Sequence, residues 1–164
     1  MTVPGLHIRE AGQQDLDAVV ALERDTLEAP HWTEMEYAVI VNADREADAL
    51  VRRCLLIAEG ENRLMGFAVG KIVGSCEGSV AELESIVVQE TTRRVGIGRA
   101  LCTAVIAWSR QQGAAALELE VRAGSRGAIA LYAGLGFAVA GRRRAYYREP
   151  VEDAVLMRLE LVWS

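Results

Sequence analysis

The stretch VAELESIVVQETTRRVGIGRALCTAVIAWSRQQGAAALELEVR, residues 80–122, decides the fold. Val80–Val88 is rich in β-branched side chains and reads as a strand. Gly98–Gln112 then carries Leu101, Val105 and Trp108 along one helical stripe and stops at Gly113, a residue suited to a helix C-terminus. Ala116–Arg122 alternates apolar and charged positions, as a half-buried strand does. A helix between two strands of one sheet implies a parallel crossover.

Working outward, the N-terminal side predicts a short strand over Leu6–Glu10 and an amphipathic helix from Asp15. That helix places Leu16, Val19, Val20, Ala21, Leu22 and Leu27 at helical spacing and ends before Pro30. Thr33 followed by Glu36 is a capping box for a second helix, with Trp32 at the hydrophobic-staple position. The charged, Ala-rich segment Ala43–Val51 does not declare whether it prolongs that helix. Cys54–Ala58 and Leu64–Val73 read as strands around a hairpin turn, Gly60–Arg63, and a second turn, Gly74–Ser79, leads into Val80. On the C-terminal side, Ser125–Ala133 reads as a short helix, and Phe137–Ala145 and Asp153–Leu161 as the last strands. Hairpins on both sides of the crossover imply antiparallel pairing there. The expected class is therefore α/β (α+β), a mixed sheet with helices packed on it, in a single domain over 1–164 with no internal repeat.

Composition narrows the function. Apolar residues at 51% and charged residues at 25% exclude a disordered chain. The net charge, 18 − 23 = −5, argues against a whole-domain footprint for nucleic acid, and no nucleic-acid partner is expected. No apolar run reaches membrane-spanning length: Ala100–Trp108 is interrupted by Thr103 and flanked by Arg99 and Arg110. The first residues lack a secretory pattern, and three cysteines without C-x-x-C spacing suit a reducing compartment. The cytoplasm is expected. His7 and His31 are isolated, so no metal site is expected.

At the strand-to-helix junction lies Thr92-Arg93-Arg94-Val95-Gly96-Ile97-Gly98-Arg99. Two glycines two apart let the backbone turn tightly and present successive N–H groups to an anion. The helix that begins there adds its positive dipole end, and Arg93, Arg94 and Arg99 supply charge. A Walker loop would need G-K-[ST], and a dinucleotide fingerprint would want Gly or Ala where Leu101 stands. Spacing alone leaves two readings, a pyrophosphate cradle or a glycine turn capped by surface arginines.

A resemblance weighs on that choice. R-R-V-G-I-G-R-A, entered from S-I-V-V, resembles the acetyl-CoA signature (Q/R)-x-x-G-x-(G/A) of the GCN5-related N-acetyltransferases (GNAT). The similarity runs from about Val80 to the C-terminus. Within it, L-E-V-R-A-G-S-R-G-A-I-A-L-Y-A-G-L-G-F (residues 119–137), R-R-A-Y-Y and E-D-A-V-L-M resemble the RimI type, the ribosomal-protein alanine N-acetyltransferases. Pro30-His31-Trp32-Thr33 is similar to that family's P-W-S element. The resemblance implies a GNAT fold of about seven strands and about four helices, with acetyl-CoA as cosubstrate and no metal. It implies a protein N-terminus as acceptor, a ribosomal protein among the candidates, and leaves monomer or homodimer open. Carried over, Ile86, Val87 and Val88 would line the pantetheine arm, and Arg94, Val95, Gly96, Ile97, Gly98 and Arg99 would hold the pyrophosphate. Glu120 matches the general base and Tyr132 the general acid. Ser125 stands where the family has a CoA-contacting Asn, Glu90 replaces a Pro before the cradle, and Ala145 replaces an Asn before the tyrosine pair.

Several residues keep a second reading. Glu120 shares its strand face with Glu118 and Arg122, a pattern also typical of a solvated face. Tyr132 is spaced for ordinary helix packing against Ile129. Glu82 and Glu84 on the central strand are rival bases. Tyr146-Tyr147 would either wall the acceptor entry or brace a strand edge, and Arg142–Arg144 reads as a solvated basic run. Lysine side chains, small amines and a noncatalytic acyl-CoA-binding role remain as alternative functions.

Overall fold

The computed structural model describes residues 5–26, 29–43, 50–74, 78–90, 96–148 and 150–161. Seven strands, β1 (His7–Glu10), β2 (Val51–Gly60), β3 (Arg63–Val73), β4 (Val80–Val88), β5 (Ala116–Arg122), β6 (Ala138–Arg148) and β7 (Val151–Glu160), form one sheet ordered β1-β2-β3-β4-β5-β7-β6. Four α-helices accompany it: α1 (Leu16–Arg24), α2 (Glu34–Asn42), α3 (Ile97–Gln111) and α4 (Arg126–Gly134). Only β4 and β5 run parallel, joined by α3 as the 80–122 pattern requires; all other neighbours are antiparallel. The expected mixed sheet is what forms.

Helices cover both faces, so the central strands bury both sides of their pleat. Cys54, Leu56 and Ala58 of β2 join Leu101, Cys102 and Val105 of α3 in one core. Leu55 and Ile57, pointing the other way, meet Val19 and Val20 of α1 and Tyr37 of α2. This explains why β2 and β3 read as continuous apolar runs. The N-cap and staple of α2 form as expected, with Glu36 N–H donating to Thr33 Oγ1 at 3.2 Å and the Trp32 ring packed on Tyr37 at 5.5 Å. In place of the box's second bond, the Glu36 carboxylate accepts from the Thr33 hydroxyl at 3.3 Å.

Some boundaries move. α1 ends at Arg24 with Asp25 as its C-cap, short of the expected end before Pro30; Leu27 lies outside the described residues, as do Cys76 and residues 44–49. β2 starts at Val51 rather than Cys54, because Arg52 and Arg53 pair with Ile72 and Lys71 whatever their polarity. β6 runs three residues past the expected end at Ala145. That end is a real feature, since Ala145 adopts φ +50 and the register with β7 shifts between Arg143 and Tyr147. Phe137 precedes β6 and is buried against Tyr132.

The feature that shapes the rest is the parallel pair. β4 and β5 pair only over Val80–Glu82 and Ala116–Glu118. β4 nevertheless stays paired with β3 through Val88, and β5 with β7 through Arg122. The two strands therefore part beyond Glu82. β4 also bulges at Glu84, where Leu83 pairs with Gly70 and Ser85 with Val69. A bulge bends and twists its strand, which widens the gap.

Gly66 of β3 holds β4 in this path. A Cβ there would lie 2.7 Å from the Val87 carbonyl oxygen. Gly66→Ala is expected to destabilise the protein by roughly 1–3 kcal/mol, an overpacking cost, read as a lower urea midpoint at unchanged m-value.

Candidate active site

Where β4 and β5 part, a cleft of about 780 Å³ opens. One wall is β4 from Glu82 to Val88 and the other is β5 from Leu119 to Arg122. The start of α3 closes one end with Gly96, Gly98 and Arg99, and α4 adds Ser125, Leu131 and Tyr132. Fold topology thus brings together Ile86, Val87, Val88, Gly96, Gly98, Arg99, Glu120, Ser125 and Tyr132, which are far apart in the chain. Ile97 differs: its side chain is buried in the core, so only its backbone is near the turn. Arg93, Arg94 and Val95 lie outside the described residues.

The turn suits an anion. Gly96 caps α3 in a left-handed conformation, φ +88, which favours glycine. The first intrahelical bond is Ala100 N–H to Gly96 O at 3.0 Å, so the N–H groups of Ile97, Gly98 and Arg99 precede the helical ladder. A Cβ on Gly98 would sit 3.4 Å from Leu131 of α4, which packs the start of α3 against the second half of α4. Along β4, the edge facing β5 has no strand partner from Leu83 to Val87 among the described residues, leaving peptide groups available to an extended ligand. Ser125 caps α4 without using its hydroxyl for the cap. These features fit the pyrophosphate and pantetheine parts of a CoA thioester.

Glu120 lies on the β5 face that looks into the cleft. Its Oε1 pairs with Arg143 at 3.2 Å, while Oε2 is buried with no hydrogen-bond partner among the described residues. It is thus more than one charge on a solvated face. Tyr132 is buried against Phe137, ring centroids 5.8 Å apart. Burial, aided by Cys102 and Tyr147, pushes its phenol well above the ordinary value, so it keeps its proton at neutral pH. The rivals differ. Glu84 is tied to Arg53 at 2.7 Å. Glu82 is raised by loss of hydration and by Glu84, with Lys71 opposing and Glu120 and Glu118 adding to the rise. Cys102 is inert as a nucleophile, because burial pushes its thiol up to about 12.

The tyrosine pair had two readings in the sequence, an entry wall or a strand brace. Tyr146 and Tyr147 both line the cleft, edge to face at 5.1 Å. The Arg122 guanidinium lies 4.1 Å from the Tyr147 ring centre, and Arg143 lies 5.3 Å from that of Tyr146. The Arg142–Arg144 run is therefore not simply solvated: Arg142 bonds Asp153 at 2.8 Å and Arg143 engages Glu120. Only the sheet register reveals these partners. Thr26, Ala29 and Pro30 also reach the cleft; of these the P-W-S-like element marked only Pro30. A separate cavity of about 440 Å³, between β2 and the end of α3, holds none of the expected site residues.

A parting parallel pair with a helix N-terminus at its mouth defines the class: an α/β protein with an open cleft at the sheet centre. Residues 16–137 match the profile of the acetyltransferase (GNAT) family, and the chain belongs to that family. It is 40% identical over 101 residues to a [ribosomal protein bS18]-alanine N-acetyltransferase of Escherichia coli K12. That alignment covers 60% of this chain and 66% of the relative, just under two thirds of its length. The crystal structure of the ribosomal-protein-S18-alanine N-acetyltransferase from Escherichia coli superposes with a TM-score of 0.77 at 30% identity, covering 97% of this chain and 96% of that one. Arabidopsis thaliana NAA60 in complex with acetyl-CoA shares the fold, with a TM-score of 0.80 at 23% identity over 95% of this chain and 98% of that one. Among the described residues no helix is long and apolar enough to cross a membrane, and no cluster of His, Cys, Asp or Glu could hold a metal.

The raised Tyr132 phenol has a measurable consequence. Above about pH 10 an unfolded tyrosine loses its proton, whereas folded Tyr132 retains it. The native state then binds more protons than the unfolded state, so stability falls as pH rises. Tyr132→Phe is expected to flatten this alkaline loss, measured as urea midpoints between about pH 9 and 11.

Proposed function

We propose that this chain is an acetyl-CoA-dependent N-acetyltransferase whose acceptor is the N-terminal α-amine of a protein, with a ribosomal protein the first acceptor to test. A cytoplasmic location is part of the proposal. The observation that carries it is the cleft itself, in which Glu120 and Tyr132 share one wall system with the Gly96–Arg99 turn. Family membership supports the chemistry, and the activity named for the Escherichia coli relative supports the acceptor.

Acetyl-CoA supplies an activated thioester, so no covalent enzyme intermediate is needed. In this reading the N–H groups from Ile97 to Arg99 bind the pyrophosphate oxygens, and the unpaired edge of β4 aligns the pantetheine amides. Arg94 and Val95 belong to the same proposed cradle. Glu120 receives the proton that the acceptor ammonium must lose before its nitrogen can attack the acetyl carbonyl carbon. Tyr132 holds a proton in a dry site and delivers it to the sulfur as the carbon–sulfur bond breaks. Proton cost separates the acceptors. An α-amine of pKa about 7.8 needs only ~1 kcal/mol to be neutral at pH 7, whereas lysine at about 10.4 needs ~4.6 kcal/mol. A carboxylate held by Arg143, rather than one isolated in an apolar pocket, suits the easier task.

Thiol release measured across protein N-terminal peptides, lysine peptides, polyamines and aminoglycosides tests the acceptor. Turnover confined to a small amine would remove the protein-substrate assignment, and CoA binding without thiol release on any amine would leave a noncatalytic binding module. Glu120→Gln is expected to lower kcat by roughly 10²–10⁴-fold and to move the pH–rate profile, at nearly unchanged acetyl-CoA affinity. Equal loss of cofactor affinity would make Glu120 structural. Gly96→Val is expected to raise the acetyl-CoA Kd, because valine strains a backbone at φ +88. An unchanged Kd would place the cradle elsewhere.

A further inference from the structure

Thr26, Ala29 and Pro30 bring the connection between α1 and α2 to the cleft wall. Behind it stands Glu23, in the last turn of α1, with 0% of its surface exposed. Its Oε2 accepts a hydrogen bond from the hydroxyl of Tyr37, itself fully buried in the first turns of α2. The backbone N–H of Trp32 favours the ionised carboxylate, against the desolvation that raises its pKa; His31, Glu36 and Arg24 are the other charged groups that act on it. Oε1 makes no regular hydrogen bond among the described residues. Burying a carboxylate is costly, and an apolar side chain of similar volume would serve packing better. What a carboxylate adds is direction, because it accepts from the Tyr37 hydroxyl on the far side of the connection, and the Trp32 ring packs on that same tyrosine at 5.5 Å. The rest of the connection is fastened near the same point. Thr26 N–H donates to Glu23 O at 3.1 Å, and a His31 ring nitrogen lies 3.0 Å from Thr26 O.

We propose that Glu23 is a positioning residue for the acceptor amine. Its carboxylate clasps Tyr37, on which the Trp32 ring packs, and this fixes how deeply Ala29 and Pro30 stand in the cleft beside the Glu120 wall. Glu23 itself does not line the cleft and takes no part in proton transfer. The inference rests on the acyl-transfer reading of that cleft.

Steady-state kinetics of the wild type, Glu23→Gln and Tyr37→Phe, with acetyl-CoA and the acceptor varied in turn, test it. In Glu23→Gln an amide donor replaces one acceptor oxygen. The acceptor KM is expected to rise about tenfold, equivalent to roughly 1.4 kcal/mol, with kcat and the acetyl-CoA KM within about twofold. Tyr37→Phe should shift the acceptor KM in the same direction by less, and the double variant should be no worse than Glu23→Gln, because both act through one bond. Amide hydrogen exchange should quicken only over residues 29–37. An unchanged acceptor KM overturns the proposal, as does a parallel loss for both substrates or additive effects of the two substitutions. If Glu23→Gln does not fold, Tyr37→Phe, which keeps the buried ring, carries the same comparison. If the wild type acetylates no amine, the acyl-transfer reading fails by itself; exchange protection over 29–37 that survives in the variants then overturns the clasp separately.

Discussion

The parallel ladder between β4 and β5 lasts for three residue pairs, ending at Glu82 and Glu118, and the cleft exists because it stops there. Each strand has a stronger partner on its outer side. β3 holds β4 from Ala81 to Val88, and β7 holds β5 along its whole length. Right-handed twist carries the two halves of the sheet apart once the shared hydrogen bonds end, and the bulge at Glu84 adds to the divergence. The start of α3, with Gly98 against Leu131 of α4, occupies the space on one face of the opening. The gap is thus a property of strand pairing, braced by helices.

Charges across this sheet centre follow from the same register. Glu82 and Glu118 stand side by side, an arrangement that is unfavourable by itself. Cations on the flanking strands offset it: Lys71 is the cross-strand neighbour of Glu82, and Arg158 bonds Glu118 at 3.1 Å. Farther up the cleft Arg143 does the same for Glu120. Acidic groups at the sheet centre are thus held in place by basic ones drawn from the neighbouring strands.

The legible parts share a physical origin. The Thr33–Glu36 cap, the Trp32 staple and the Gly60–Arg63 turn depend on neighbours within four residues, and all three formed as expected. The turn even places the non-glycine residues Glu61 and Asn62 at φ +52 and +61, consistent with a tight two-residue hairpin. The start of β2 at Arg52 and Arg53 was hidden, because pairing with β3 overrides local polarity. The Glu120–Arg143 contact was hidden for a similar reason. It joins residues on strands separated in the sheet by β7, and no local spacing encodes it.

By itself, the sequence determined the element types, the parallel crossover over residues 80–122, the glycine turn and the helix that starts there. Those are local matters of periodicity, glycine conformation and capping, and the family motifs lie within them. Tertiary structure alone decided where the parallel ladder ends and which cations face Glu82, Glu118 and Glu120. It also decided that Glu23 is fully buried against Tyr37. Strand register and helix docking settle contacts between residues distant in the chain, and they depend on the packing of the whole sheet rather than on any one segment.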